Sequence, residues 1–211
     1  MTFYSQCGED KIIYEKYFKD KTDGVFLELG AMDGVQFSNT KFFEDMLGWT
    51  GVLIEPHPDT FQSLQANRPK SKCYNCAVSC EETDITMLVN PCNSAVSTIE
   101  NTAYGSFKYG EKGWHEQSYK IIVKTRRLDD ILKDAGVTHI DFFSLDVEGH
   151  EYEVLKSMDW SIPVKILLIE AFDDDPNKEN IRSFLIDKGF AYDGICAHNQ
   201  VWVNSNSVLY S

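Results

Sequence analysis

No apolar run in the chain approaches the ~20 residues that a membrane-spanning helix needs. The first residues, Met1-Thr2-Phe3-Tyr4-Ser5-Gln6, show neither the basic region nor the apolar core of a secretory leader. The expectation is a cytoplasmic protein. Basic residues are scarce: 20 Lys and Arg stand against 33 Asp and Glu, giving a formal charge of −13. A field of that sign repels phosphate backbones and anionic lipid, so neither nucleic acid nor a membrane surface is an expected partner. The one concentrated basic cluster, Lys124, Arg126 and Arg127, reads as a solvated strand end. Metal-binding cysteine pattern is also lacking. Cys73 and Cys76 form a CxxC, but no second pair or histidine set follows at zinc spacing. With Cys7, Cys80, Cys92 and Cys196 they read as free thiols of a reducing compartment. The GxGxxG fingerprint of a dinucleotide-binding oxidoreductase is absent as well.

What is present is enough apolar material for one α/β domain over 1–211, with 43% hydrophobic and 13% aromatic residues. The organising stretch is Val25-Phe26-Leu27-Glu28-Leu29-Gly30-Ala31-Met32-Asp33-Gly34, a short buried strand running into a glycine turn. Glycine there permits backbone angles closed to other residues and lets a ligand approach the main chain. About twenty residues on, Gly51-Val52-Leu53-Ile54 ends in Glu55. An acid at that strand tip suits a ribose, because a carboxylate accepts from two vicinal hydroxyls. The turn carries two acids and no base, which disfavours a pyrophosphate. It favours a ligand with positive charge, such as the sulfonium and amino group of S-adenosylmethionine (SAM). The plainer reading is a strand and turn without a ligand.

In chain order, 1–20 form a loop, cap and helix over about 10–19, with Gln6, Glu9 and Asp10 as polar candidates for capping. Ser38 starts and caps a second helix through about Leu47, whose N-terminus offers amide donors to the turn. A helix begins at Asp59, and Lys72 to Ser79 reads as one strand. Over 84–117 a hairpin, Asp84 to Asn90 with Ser94 to Ile99, and an aperiodic loop, 101–117, insert near the site. Then come the strand Tyr119 to Lys124, a helix from Arg127, the strand Ile140 to Leu145, and a helix with Val154 and Leu155. Lys165 to Glu170 is an apolar strand, a helix spans 177–188, and the late strands read as antiparallel. Strands alternating with helices imply a mostly parallel sheet with helices on both faces. Ligands bind outside the strand C-termini of such sheets. That rule gathers Glu28 to Gly34, Glu55 with Pro56, Asp146 to Glu151, and Glu170 to Asp174 on one edge.

Together SQCGED (Ser5–Asp10), ELGAMDGVQFSNT (Glu28–Thr40), GWTGVLIEP (Gly48–Pro56), NCAVS (Asn75–Ser79) and FFSLDVEGHE (Phe142–Glu151) resemble the FkbM-type methyltransferase family. The resemblance implies a Rossmann-like class I methyltransferase fold with seven strands and an antiparallel last strand. It implies SAM as cofactor and a hydroxyl of a sugar, glycan or related small molecule as acceptor. It assigns Glu28, Gly30, Ala31, Asp33 and Gly34 to the SAM turn, and Glu55 with Pro56 to the ribose. Gln6, Ser38 and Asn39 would lie near the methionyl end, Cys76 and Ala77 would flank the adenine, and Asp146 would sit beside the methyl group.

Methyl transfer from a sulfonium is an in-line displacement at a hydroxyl that is a very weak acid, so a base or a metal is useful. Asp146 is the first candidate, His150 the second, and His198 in the late turn a third. By family analogy Asp146, Asp173 and Asp174 could hold Mg²⁺ or another divalent cation through hard oxygen ligands. Against this, Asp146 and Glu148 could cap the following helix, and Asp173 to Asp175 before Pro176 could form a solvated turn. Between two prolines, His57 reads as a turn residue, and Trp114 and His115 could pack on a sugar ring. A competing function is a catalytically silent SAM-fold binding or assembly subunit, but its mark, loss of the acids, is not seen. An enzyme acting on nucleic acid bases would want a basic face and a tetrapeptide such as NPPY, and neither is present.

Overall fold

The structure, a computed structural model, describes residues 1–91, 97–100, 118–170 and 176–205. Its main sheet is built on β1 (Val25–Leu29) and β8 (Ile140–Leu145), with β2 (Thr50–Ile54) and β3 (Lys72–Tyr74) on one side and β9 (Val164–Glu170), β10 (Phe190–Cys196) and β11 (Asn199–Asn204) on the other. The seven strands run in the order β10-β11-β9-β8-β1-β2-β3. From β3 to β9 every neighbour is parallel, while β11 is antiparallel to both β9 and β10. All six residues of β8 are buried, the pattern expected of a central parallel strand covered on both faces.

The side-chain alternation of the strands divides the core in two. Leu27, Leu29, Val52, Ile54, Phe143 and Leu145 face one side. There they meet Leu128, Ile131 and Leu132 of α4 (Leu128–Asp134), Val154 and Leu155 of α5 (Glu151–Lys156), and Ile181 and Leu185 of α6 (Lys178–Asp187). On the other side Phe26, Leu53 and Phe142 meet α1 (Glu9–Tyr17), α2 (Lys41–Leu47) and α3 (Pro58–Asn67). Aromatic edges lock this side: Phe18 lies 5.0 Å from Trp49, and Phe43 lies 5.4 Å from Phe142 between ring centroids. Each such ring, fully buried, contributes ~1.5–3 kcal/mol of hydrophobic stabilisation.

A second sheet, β4-β7-β5-β6, comprises β4 (Ala77–Val78), β5 (Asp84–Val89), β6 (Thr98–Ile99) and β7 (Tyr119–Arg126). The expected strand over 72–79 is therefore two strands in two sheets. The break falls at Asn75, whose amide donates to the carbonyls of Glu55 and Pro56 at 2.9 and 3.0 Å and turns the chain over the tip of β2. The expected hairpin exists as β5 paired antiparallel with β6. The loop 101–117, Trp114, His115, Asp173 and Asp174 lie outside the described residues. Among the described residues no helix is long and apolar enough to cross a membrane.

Candidate functional site

The C-terminal edge of the parallel strands opens on a cavity of about 450 Å³. Its walls come from the ends of β1 (Glu28, Leu29, Gly30), β2 (Ile54, Glu55, Pro56), β8 (Ser144, Asp146) and β9 (Glu170). Gln6 and Glu9 close one side from the N-terminus. The second sheet supplies a further wall through Ala77, Met87 and Ile99, and the hydroxyl of Thr98 ties that sheet to the Glu148 carbonyl at 2.7 Å.

Gly30 shows why the first turn needs glycine. Its φ is +76°, and a Cβ there would overlap the Asp146 carbonyl oxygen, so the bare backbone is what lets β1 and β8 converge. Glu28 is buried, and its carboxylate accepts from Ser38 Oγ (2.9 Å), Thr40 Oγ1 (2.6 Å) and the Asn39 amide (2.8 Å). Burial raises its pKa, opposed by the Arg68 guanidinium and these donors. Because Ser38 and Thr40 serve Glu28, the helix begins at Lys41 and not at Ser38, though Ser38 Oγ still accepts from the Lys41 amide at 3.1 Å. The Asn39 side chain lines the cavity, donates to Ser144 Oγ at 3.0 Å, and leaves Oδ1 buried without a partner.

Glu55 is buried at the tip of β2. Its two oxygens accept from the amides of Met32 and His57 at 2.9 and 2.8 Å. Burial pushes its pKa up to about 7, and the two amides pull the other way. Each oxygen keeps a second lone pair, so the carboxylate can still accept from a diol. Pro56, Cys76 and Ala77 line the wall beside it, and the Cys76 thiol is pushed up to about 11 by burial, so it stays protonated there.

At the end of β8, Asp146 and Glu148 line the cavity with Glu170 of β9. One carboxylate oxygen from each lies within 4.8 Å of the others. Glu151 Oε1 accepts from the amides of Val147 and Gly149 at 3.0 and 3.2 Å and so holds the turn before α5, whose N-cap residue His150 makes no side-chain cap bond. His150 lines the same wall with Nε2 buried and unpartnered, and burial lowers its pKa below the ordinary histidine value. The imidazole is therefore neutral near pH 7, able to take a proton. His198 and Asn199 complete this side from the β10–β11 turn. Three non-glycine residues on the wall hold positive φ: Met32 (49°), Phe37 (63°) and Glu148 (54°). Such angles cost roughly 1–3 kcal/mol each and gather at binding sites.

Of the residues singled out from sequence, Gln6, Glu28, Gly30, Asn39, Glu55, Pro56, Cys76, Ala77, Asp146, His150 and His198 come together on this cavity. Ala31, Asp33, Gly34 and Ser38 do not line it. Ala31 packs in the core, Asp33 Oδ1 accepts from the amides of Val35 and Gln36, and Gly34 sits against Arg68 and Leu64, so these residues shape the turn from behind. His57 caps α3 and meets Tyr119 Oη at 3.1 Å, as a turn residue. Sequence reasoning missed Ser144, Met87 and Phe37 on the wall, and Arg68 behind it. Ser144 was visible only as a polar residue inside an apolar strand.

The methyltransferase FkbM domain family matches residues 28–192. The chain belongs to the FkbM methyltransferase family. A curated relative, methyltransferase sdnD of Sordaria araneosa, is 35% identical over 82 residues, a stretch covering 34% of this chain and 31% of that protein. The chain thus matches about a third of that relative's length. Among solved structures, a TehB-like SAM-dependent methyltransferase from Corynebacterium glutamicum aligns with a TM-score of 0.50 at 8% identity, over 97% of this chain and 89% of that one. The precorrin-6y C5,15-methyltransferase of Geobacter metallireducens aligns with a TM-score of 0.47 at 11% identity, over 92% and 84%. The fold of this family member is the class I fold of SAM-dependent methyltransferases.

Proposed function

We propose that this FkbM family member is a SAM-dependent O-methyltransferase acting on a hydroxyl of a sugar or glycan. The observation that carries the reading is one cavity joining two chemistries. Glu55 and Asn39 offer acceptors for a ribose and an ammonium, while Asp146 and the neutral His150 line the same cavity. The acceptor oxygen forms a bond to the methyl carbon as the carbon–sulfur bond breaks, the sulfur keeping the electron pair and S-adenosylhomocysteine leaving. The hydroxyl proton passes to a base, and His150, a neutral imidazole on a residue lining the cavity, is the candidate for it.

The carboxylates of Asp146, Glu148 and Glu170 support a second reading, in which they hold a divalent cation. Three hard oxygen donors within 4.8 Å of one another fit Mg²⁺ in donor type. Such an ion would lower the pKa of the acceptor hydroxyl. Asp146 is shared with the sequence-based set, whose Asp173 and Asp174 lie outside the described residues.

The test is transfer of labelled methyl from SAM to a panel of methyl glycosides, with and without EDTA. The expected result is transfer by the wild type, reduced about 100-fold in turnover by His150→Gln with SAM affinity kept. Loss on chelation with recovery by Mg²⁺ would establish the cation. A folded protein that binds SAM but methylates nothing would favour the silent binding subunit. Wild-type turnover in His150→Gln would remove that residue from the chemistry.

A further inference from the structure

Arg68 is fully buried at the C-terminal end of α3, its guanidinium 5.2 Å from the ring centroid of the core residue Phe26. Its side chain contacts the segment after β1 at Gly34, Ser38 and Thr40. Nη1 donates to the Gly34 carbonyl at 3.0 Å and to Ser38 Oγ at 3.2 Å, and Nη2 donates to Thr40 Oγ1 at 3.1 Å. Nε lies 3.1 Å from Glu44 Oε2, and Nη1 lies 3.8 Å from Glu28 Oε2. Ser71 Oγ donates to the same Glu44 oxygen. A Cβ on Gly34 would fall 2.6 Å from Arg68 Cγ, so the turn rests directly on the arginine stem.

Burying a guanidinium between two carboxylates carries a large desolvation cost, and a hydrophobic set of equal volume is often as stable. The arrangement therefore calls for a use beyond stability, and its geometry indicates one. Glu28 is the point of transmission: Arg68 holds it, and it holds Ser38, the Asn39 amide and Thr40. Asn39 is then fixed at both ends, by Glu28 at its backbone and by Ser144 at Nδ2. What remains is Oδ1, buried and unpartnered, on a residue that lines the cavity. A carbonyl oxygen so placed recognises an N–H donor, and in a SAM site the donor of matching chemistry is the α-ammonium of the methionyl group.

We infer that Arg68 is a positioning residue of the cofactor site, acting through Glu28 to hold Asn39 Oδ1 in place as the acceptor for the cofactor ammonium. The inference rests on the methyltransferase reading and assigns a role to a residue that reading does not use. Lysine does not replace arginine here, because one ammonium cannot reproduce a planar fork that donates to Gly34, Ser38 and Thr40.

The test is a double-mutant cycle on SAM affinity, measured by isothermal titration of wild type, Asn39→Ala, Arg68→Lys and the double variant. Loss of one hydrogen bond to a charged group weakens binding about ten-fold or more. The expected result is about that loss in each single variant and no further loss in the double, with binding stoichiometry near one throughout. A purely structural role for Arg68 would lower the stoichiometry of competent protein and leave the affinity of the folded fraction unchanged. That outcome, multiplicative losses in the double variant, or unchanged affinity in Asn39→Ala overturns the inference. Should Arg68→Lys not fold, Glu28→Gln, which weakens the same link, takes its place in the cycle. Failure of the wild type itself to bind SAM would instead overturn the methyltransferase reading.

Discussion

Glu151 is buried at 2% exposure, and burial pushes its pKa up to about 8. Its folded value lies above the ordinary 4.5, so the folded state binds this proton more tightly than the unfolded chain does. The resulting stability is full below about pH 4.5 and is lost as pH rises through about 8. Both amides donate to Oε1, so Glu151→Gln keeps both bonds and removes only the buried charge. Thermal melts should show the variant gaining on wild type by about 3 kcal/mol between pH 5.5 and 9. A difference that does not change with pH would mean that Glu151 is not held in this way. Glu55 acts in the same direction over a lower window, from 4.5 to about 7.

Between strands, the convergence of β1 and β8 at Gly30 is the feature that shapes the site. Gly30→Ala places a Cβ against the Asp146 carbonyl at a φ of +76° and should cost more than about 2 kcal/mol in denaturant unfolding, with SAM binding lost. Gly136→Ala is the matched control. It shares a positive φ of +66° but has open space around it, and it should cost only about 1 kcal/mol. Equal costs for the two would show that close approach is not what the first glycine serves. The strands that position the site were legible because each is an apolar run ending in an acid or glycine: Val25–Leu29, Thr50–Ile54, Ile140–Leu145 and Val164–Glu170. The split of 72–79 was not legible, because it depends on the Asn75 side chain finding two carbonyls about twenty residues away. The start of α2 at Lys41 was hidden for a related reason: the hydroxyls that usually cap a helix bond a buried glutamate on another strand. Arg68 carried no sequence signal at all, since a basic residue after a helix ordinarily reads as exposed.

For the molecule as a whole, the SAM reading needs a single site in which an adenosine and an amino acid lie end to end across the strand tips. Glu55, Cys76, Gly30, Gln6 and Asn39, the residues that reading assigns to such a site, line one cavity. The formal charge of −13 suits a ligand that carries a sulfonium and an ammonium. The most direct measurement is isothermal titration of the purified protein with SAM and with S-adenosylhomocysteine, with Glu55→Ala alongside. Micromolar binding of at least one of them at a single site, weakened about ten-fold or more by Glu55→Ala, is the predicted result. A folded protein that binds neither ligand would contradict the account.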